Sequence, residues 1–175
     1  MKRLVITFTI IGALLAFALP LVAQEKAAAP AAAPKHEYVG AAKCAMCHKK
    51  DNTHPTWMET KHAKAWDVLK PEDQKNEKCV ACHSTGTDAK GTLLTGVQCE
   101  ACHGAGSAYM KMNIMKDEKL AIENGLLIPD TKTCQKCHND NVPAEFKAKE
   151  PYDFAKMMTT GVHAHPAKEK PAETK

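Results

Sequence analysis

Four copies of one pentapeptide pattern govern what this 175-residue chain can fold into. They are CAMCH (Cys44, Cys47, His48), CVACH (Cys79, Cys82, His83), CEACH (Cys99, Cys102, His103) and CQKCH (Cys134, Cys137, His138), and together they use all eight cysteines. The middle two alone are ambiguous, because the sixteen residues between Cys82 and Cys99 match the spacing of a four-cysteine zinc site. A zinc ribbon does not need a histidine after every pair, however, and a disulfide framework needs neither the fixed gap nor the histidine. Cys-x-x-Cys-His is the c-type haem attachment site. Two thiols add to the two vinyl groups of one haem, which fixes the short gap, and the adjacent histidine ligates the iron. The cofactor expected is four covalently bound c-type haems, held by thioethers from Cys44, Cys47, Cys79, Cys82, Cys99, Cys102, Cys134 and Cys137. The proximal iron ligands expected are His48, His83, His103 and His138.

The rest of the composition is read against that cofactor. Aromatic residues make up only 5% of the chain, which is thin for an ordinary core. If each macrocycle buries on the order of 500 Å², it contributes on the order of 10 kcal/mol at ~25 cal/mol per Å². The haems are therefore expected to be the core, with the polypeptide wrapped around them and no fold without them. The chain has 24 Lys and Arg against 20 Asp and Glu. Eight haem propionates would turn that balance mildly acidic, and the lysines are spread along the sequence, so nucleic acid is not an expected partner. Arg3 is the only arginine, which leaves no planar fork for bidentate oxyanion binding in a chain processed beyond it.

Residues 1–23 read as a signal peptide: MKR, then an apolar run from Leu4 to Val22, with Ala23 as the cleavage position. The alternative is an uncleaved membrane anchor. Attachment of c-type haem outside the bacterial cytoplasm requires export in either case, so the expected location is periplasmic. Residues 24–37 are rich in alanine and proline and read as a flexible linker. Residues 38–166 read as one haem-carrying domain, and 167–175 as a disordered tail. His36 falls in the linker and reads as a solvated side chain.

Four irons need sixth ligands, and the histidines outside the motifs are the candidates. His54 to Lys70 has a helical pattern, with Pro55 in its first turn and Pro71 ending it. Met58, His62, Ala65 and Leu69 would share one stripe, aiming His62 inward. Ser107 to about Asn124 predicts a second helix, stopped by Gly125 and carrying Met110, Met112 and Met115. A third starts near Asp153 and ends at Gly161, delivering His163 and His165 on alternate sides of an extended stretch. The segment after His83, with three glycines, predicts a loop. The fold class expected is mainly α, helices and long loops packed on haem, with little or no β.

The segments YVGAAKCAMCH, TWMETKHAKAW, KCVACHSTGTDAKG, LTGVQCEACHGAG, TCQKCH and YDFAKMMTTGVHAHP, in this order, resemble the tetrahaem cytochrome c-554 family of bacterial periplasmic cytochromes. The resemblance covers nearly everything from Tyr38 to Pro166 and extends to segments between the haem motifs. It implies a small multihaem cytochrome c fold, with haems stacked in near-parallel and near-perpendicular pairs. It implies His62 and His163 as distal iron ligands, and an open iron face at the haem on Cys79, Cys82 and His83. It also implies electron transfer, best known downstream of hydroxylamine oxidation. The chain departs from the family in two places. The third distal histidine, due about ten residues after the third motif, is replaced by GAGSAYMKMN, and His54 is added ahead of the tryptophan. His54, His165, Met110 and Met112 are the candidate replacements.

An electron-transfer relay is the function expected, with redox proteins as partners: other cytochromes, a quinol-linked membrane cytochrome or a terminal oxidoreductase. Two other classes are carried beside it. An open iron could serve a reductase or oxidase of nitric oxide, nitrite or hydroxylamine type, given a proton donor and, for anions, a positive clamp. A neighbouring chain could also donate the missing ligand in a haem polymer.

Overall fold

The structure is a computed structural model in which residues 36–147 and 151–164 are described. The expected signal peptide, most of the linker, the tail and His165 lie outside the described residues. Among the described residues eight short helices carry the chain: α1 (Ala41–His48), α2 (Thr53–Glu59), α3 (Glu77–His83), α4 (Cys99–His103), α5 (Met112–Met115), α6 (Glu118–Glu123), α7 (Thr131–Gln135) and α8 (Phe154–Thr160). Two strands, β1 (Ser84–Thr87) and β2 (Leu93–Thr95), form one antiparallel hairpin. The protein is mostly helical, as expected.

Helices this short are not stable alone, and side chains hold the starts of α3, α6, α7 and α8. Asn76 accepts from the Lys78 N–H at the start of α3. Asp117 and Asp153 cap α6 and α8 in the same way. Asp130 and Thr133 form a reciprocal capping box on α7. Among the described residues no helix is long and apolar enough to cross a membrane.

The helix expected over 54–70 stops at Glu59. The Thr60 hydroxyl donates to the Trp57 carbonyl at 2.7 Å and accepts from the Ala63 N–H at 3.2 Å. A side chain that bonds nearby backbone groups competes with helical propagation. Beyond it the chain runs in successive turns, and its carbonyls serve other segments. His62 O accepts from the Val97 N–H at 2.9 Å, and Ala65 O meets the His83 ring at 2.5 Å. The stripe inferred for that helix therefore does not form, and Met58 is exposed. Gly96 permits the close approach: its φ is +76°, and a Cβ there would sit 2.8 Å from Ala63 O.

The helix expected over 107–124 is broken into α5 and α6, because Lys111 and Asp117 are both extended. The segment after His83 is a hairpin rather than a plain loop. Asp88 Oδ1 accepts from the N–H groups of Lys90 and Thr92 at 2.9 and 2.8 Å, so the turn has a side-chain template. The buried apolar core is small: Ala41, Trp57, Tyr109, Ala121 and Leu126, with Ile114 and Met115 packed on the Tyr109 cluster. His36 is half-buried rather than solvated. Its ring lies over Gly125, where only a glycine leaves it room.

Candidate haem sites

Each motif lies on one helical turn. In α1, α3 and α4 the two cysteines stand three residues apart and the histidine follows immediately, so thiols and imidazole share a face. In the fourth motif α7 ends at Gln135, and turns carry the chain through Cys137 to His138. The motifs are numbered as sites 1 to 4 in chain order. All eight thiols are unpaired, which is what two thioether bonds per haem require. No three of the described His, Cys, Asp and Glu side chains converge as a metal-ligand set, so the donors do not fit a zinc ribbon.

The imidazoles are oriented as iron ligands need to be. A ligating histidine usually gives its other ring nitrogen to a carboxylate or carbonyl, which fixes the tautomer. His48 Nδ1 lies 2.7 Å from Asp51 Oδ2. His83 Nδ1 lies 2.5 Å from Ala65 O, and His103 Nδ1 lies 3.1 Å from Leu127 O. In all three, Nε2 is the nitrogen left to bind iron. His138 stacks on the Tyr152 ring at 5.9 Å.

Two histidines outside the motifs face motif histidines. The ring centroids of His62 and His138 are 6.0 Å apart, and those of His103 and His163 are 6.1 Å apart. An iron between two imidazoles, with metal–nitrogen bonds of about 2 Å, would separate the centroids by roughly 6 Å. The loss of the α2 extension does not remove His62 from this position, because the Val97-to-His62 backbone bond holds its turn. Burial depresses its pKa, and the charge of His138 adds to the effect, so the neutral ligating form is favoured. His54 is not so placed: its ring lies 5.4 Å from that of Trp57. Met110 and Met112, the other described candidates, are exposed.

Between these groups lies a partly open cleft lined by Trp57, His62, Cys99, Cys102, His103 and His163 among others. Helices α1 and α4 pack together, which sets sites 1 and 3 side by side. Burial and the neighbouring Cys82 thiol push Cys137 up to about 12, and burial and then Cys134 raise Cys102. The residues present fit haem at each motif.

Two groups near these sites were not singled out by sequence reasoning. Glu100, an inner residue of the third motif, is 1% exposed. Its carboxylate accepts from the N–H groups of Val39 (2.9 and 3.1 Å), Gly40 (2.7 Å) and Gly106 (2.6 Å). It thereby ties the entry of α1 to the exit of α4. Its visible signal was only an acid placed between two haem cysteines. Asp51 is the other: burial opposes ionisation there, but the Thr53 N–H and the His48 ring hold its carboxyl below the usual range. Tyr109 stands where the third distal histidine was due. It is 6% exposed, and its hydroxyl donates to Gly104 O at 2.8 Å.

Residues 43–104 match the family model described as cytochrome c554 and c-prime. Cytochrome c-554 of Nitrosomonas europaea is 30% identical over 151 residues, covering 66% of this chain. The chain spans 63% of that relative's length. The structure of reduced cytochrome c554 from Nitrosomonas europaea superposes with a TM-score of 0.56 at 23% identity, covering 74% of this chain and 86% of that one. At that identity the likeness speaks for the fold. With the four motifs and their oriented imidazoles, the sequence matches carry the likeness further: the chain is similar to cytochrome c-554 in its haem motifs as well as in its fold.

Proposed function

We propose that the chain is an exported, periplasmic tetrahaem c-type cytochrome that relays electrons between redox proteins. The observation that carries this reading is the pair of facing rings, His62 with His138 and His103 with His163. Each spacing suits one iron with two histidine ligands, which closes the metal to substrates and favours simple electron transfer. When bound, each haem supplies one reversible iron-centred electron. The polypeptide supplies the rest. The cysteine pairs anchor, the Nδ1 bonds to Ala65 O and Leu127 O hold the rings of His83 and His103, and the packing of α1 on α4 keeps sites 1 and 3 close. The N-terminal leader supports export, and the partners proposed are the redox proteins named above.

The test is the intact mass of the mature, natively matured protein. It is expected to exceed the polypeptide by four haems, with none removed by acid-acetone extraction. A protein carrying zinc in their place would end this reading.

A second reading is carried by one observation. Among the described residues no second histidine ring faces His83 or His48, so site 2, and site 1 beside it, are where a ligand-binding enzyme would have its open iron. Carbon monoxide is expected to shift the visible spectrum of the fully reduced protein at site 2, and at a second haem where site 1 is open too. Absence of a shift would close the site. A shift without steady-state turnover of nitric oxide or hydroxylamine would leave the carrier reading standing, because turnover also demands proton delivery and product release.

A further inference from the structure

We propose that Asp51 is a positioning residue for the iron ligand His48, and that its carboxylate lowers the reduction potential of site 1 relative to the same site without it. This rests on the haem reading above. Asp51 Oδ2 accepts from His48 Nδ1 at 2.7 Å. The carboxylate cannot swing away, because its Oδ1 accepts from the Thr53 N–H at 3.0 Å. The turn between them is made by Asn52, the single described non-glycine residue with positive φ, at 66°. An αL residue there folds the chain back after α1, and asparagine is among the few side chains that adopt it routinely.

The partner matters because it is charged. His83 and His103 give Nδ1 to backbone carbonyls, whereas His48 gives it to a carboxylate. A carboxylate on the far nitrogen raises the basicity of a ligating imidazole. A more basic ligand stabilises ferric over ferrous iron, so the same iron holds its electron less tightly. The pair is only partly screened: the His48 and Asp51 side chains are 34% and 33% exposed.

The test is spectroelectrochemistry of the holoprotein and its variants, resolved into one-electron components, with haem content checked by intact mass. In Asp51→Asn and Asp51→Ala one component is expected to move to more positive potential while the others stay. Asp51→Glu is expected to return it toward the wild-type position. Asp140→Asn, which removes an exposed carboxylate paired with Lys147, is expected to move none. Asparagine can still accept from the Thr53 N–H, so Asp51→Asn keeps the turn if Asp51→Ala does not fold. Unmoved components in Asp51→Asn with all haems retained overturn the proposal. A uniform drift of every component also overturns it, since that would mark a structural role. Fewer than four haems in the wild-type protein would instead overturn the haem reading, before any variant is compared.

Discussion

Glu100→Ala is expected to lower stability by about 3–5 kcal/mol, because it orphans three backbone donors and each unsatisfied buried group costs ~1–3 kcal/mol. The donors are the N–H groups of Val39, Gly40 and Gly106. Against a total of roughly 5–15 kcal/mol for a native domain, that loss puts the entry of α1 and the exit of α4 at risk together. Glu100→Gln separates charge from geometry. Oε1 accepts from Val39 and Gly106, while Oε2 accepts from Val39 and Gly40. An amide puts an NH2 group against one of those donor sets, so it is expected to cost about 1–3 kcal/mol. Guanidinium unfolding of the holoprotein, followed by circular dichroism, measures both. Wild-type midpoints in the alanine variant would show that water replaces the carboxylate.

His62→Ala and His163→Ala are each expected to convert one low-spin haem to high spin, with no loss of covalent haem. The facing pairs are separate, His62 with His138 and His163 with His103, so the double variant is expected to show two high-spin haems. Low-temperature electron paramagnetic resonance reads the count directly. An unchanged low-spin spectrum in His62→Ala would return that residue to a packing role. The second variant reports on site 3, because His163 and the site 3 residues line the same cleft. Its loss should open site 3 to carbon monoxide, while His62→Ala opens site 4.

The cofactor chemistry was legible from spacing alone. Thioether attachment demands Cys-x-x-Cys-His locally, and all eight cysteines obey it, so no distant contact was needed to read the motifs. Helix caps were local too: Asp153 before α8 and Asp130 before α7 act on residues within three positions. The mainly helical class followed from that local chemistry. Periodicity misled where backbone groups were engaged by other segments. A stripe through Met58, His62 and Leu69 fits a helix, yet the carbonyls of His62 and Ala65 are taken by Val97 and His83.

What only the tertiary structure decided is which residues meet across the chain. His62 and His138 lie 76 positions apart in sequence and face each other at 6.0 Å; no local pattern encodes that pairing. The same holds for His103 with His163. Asp51 and Glu100 look like ordinary surface acids in the sequence. Their roles arise because a turn at Asn52 folds one carboxylate onto the His48 ring, and because the chain entering α1 lays its N–H groups on the other. Ligand chemistry is a property of residue type and short spacing, while ligand partnership is a property of how distant segments exchange their hydrogen bonds.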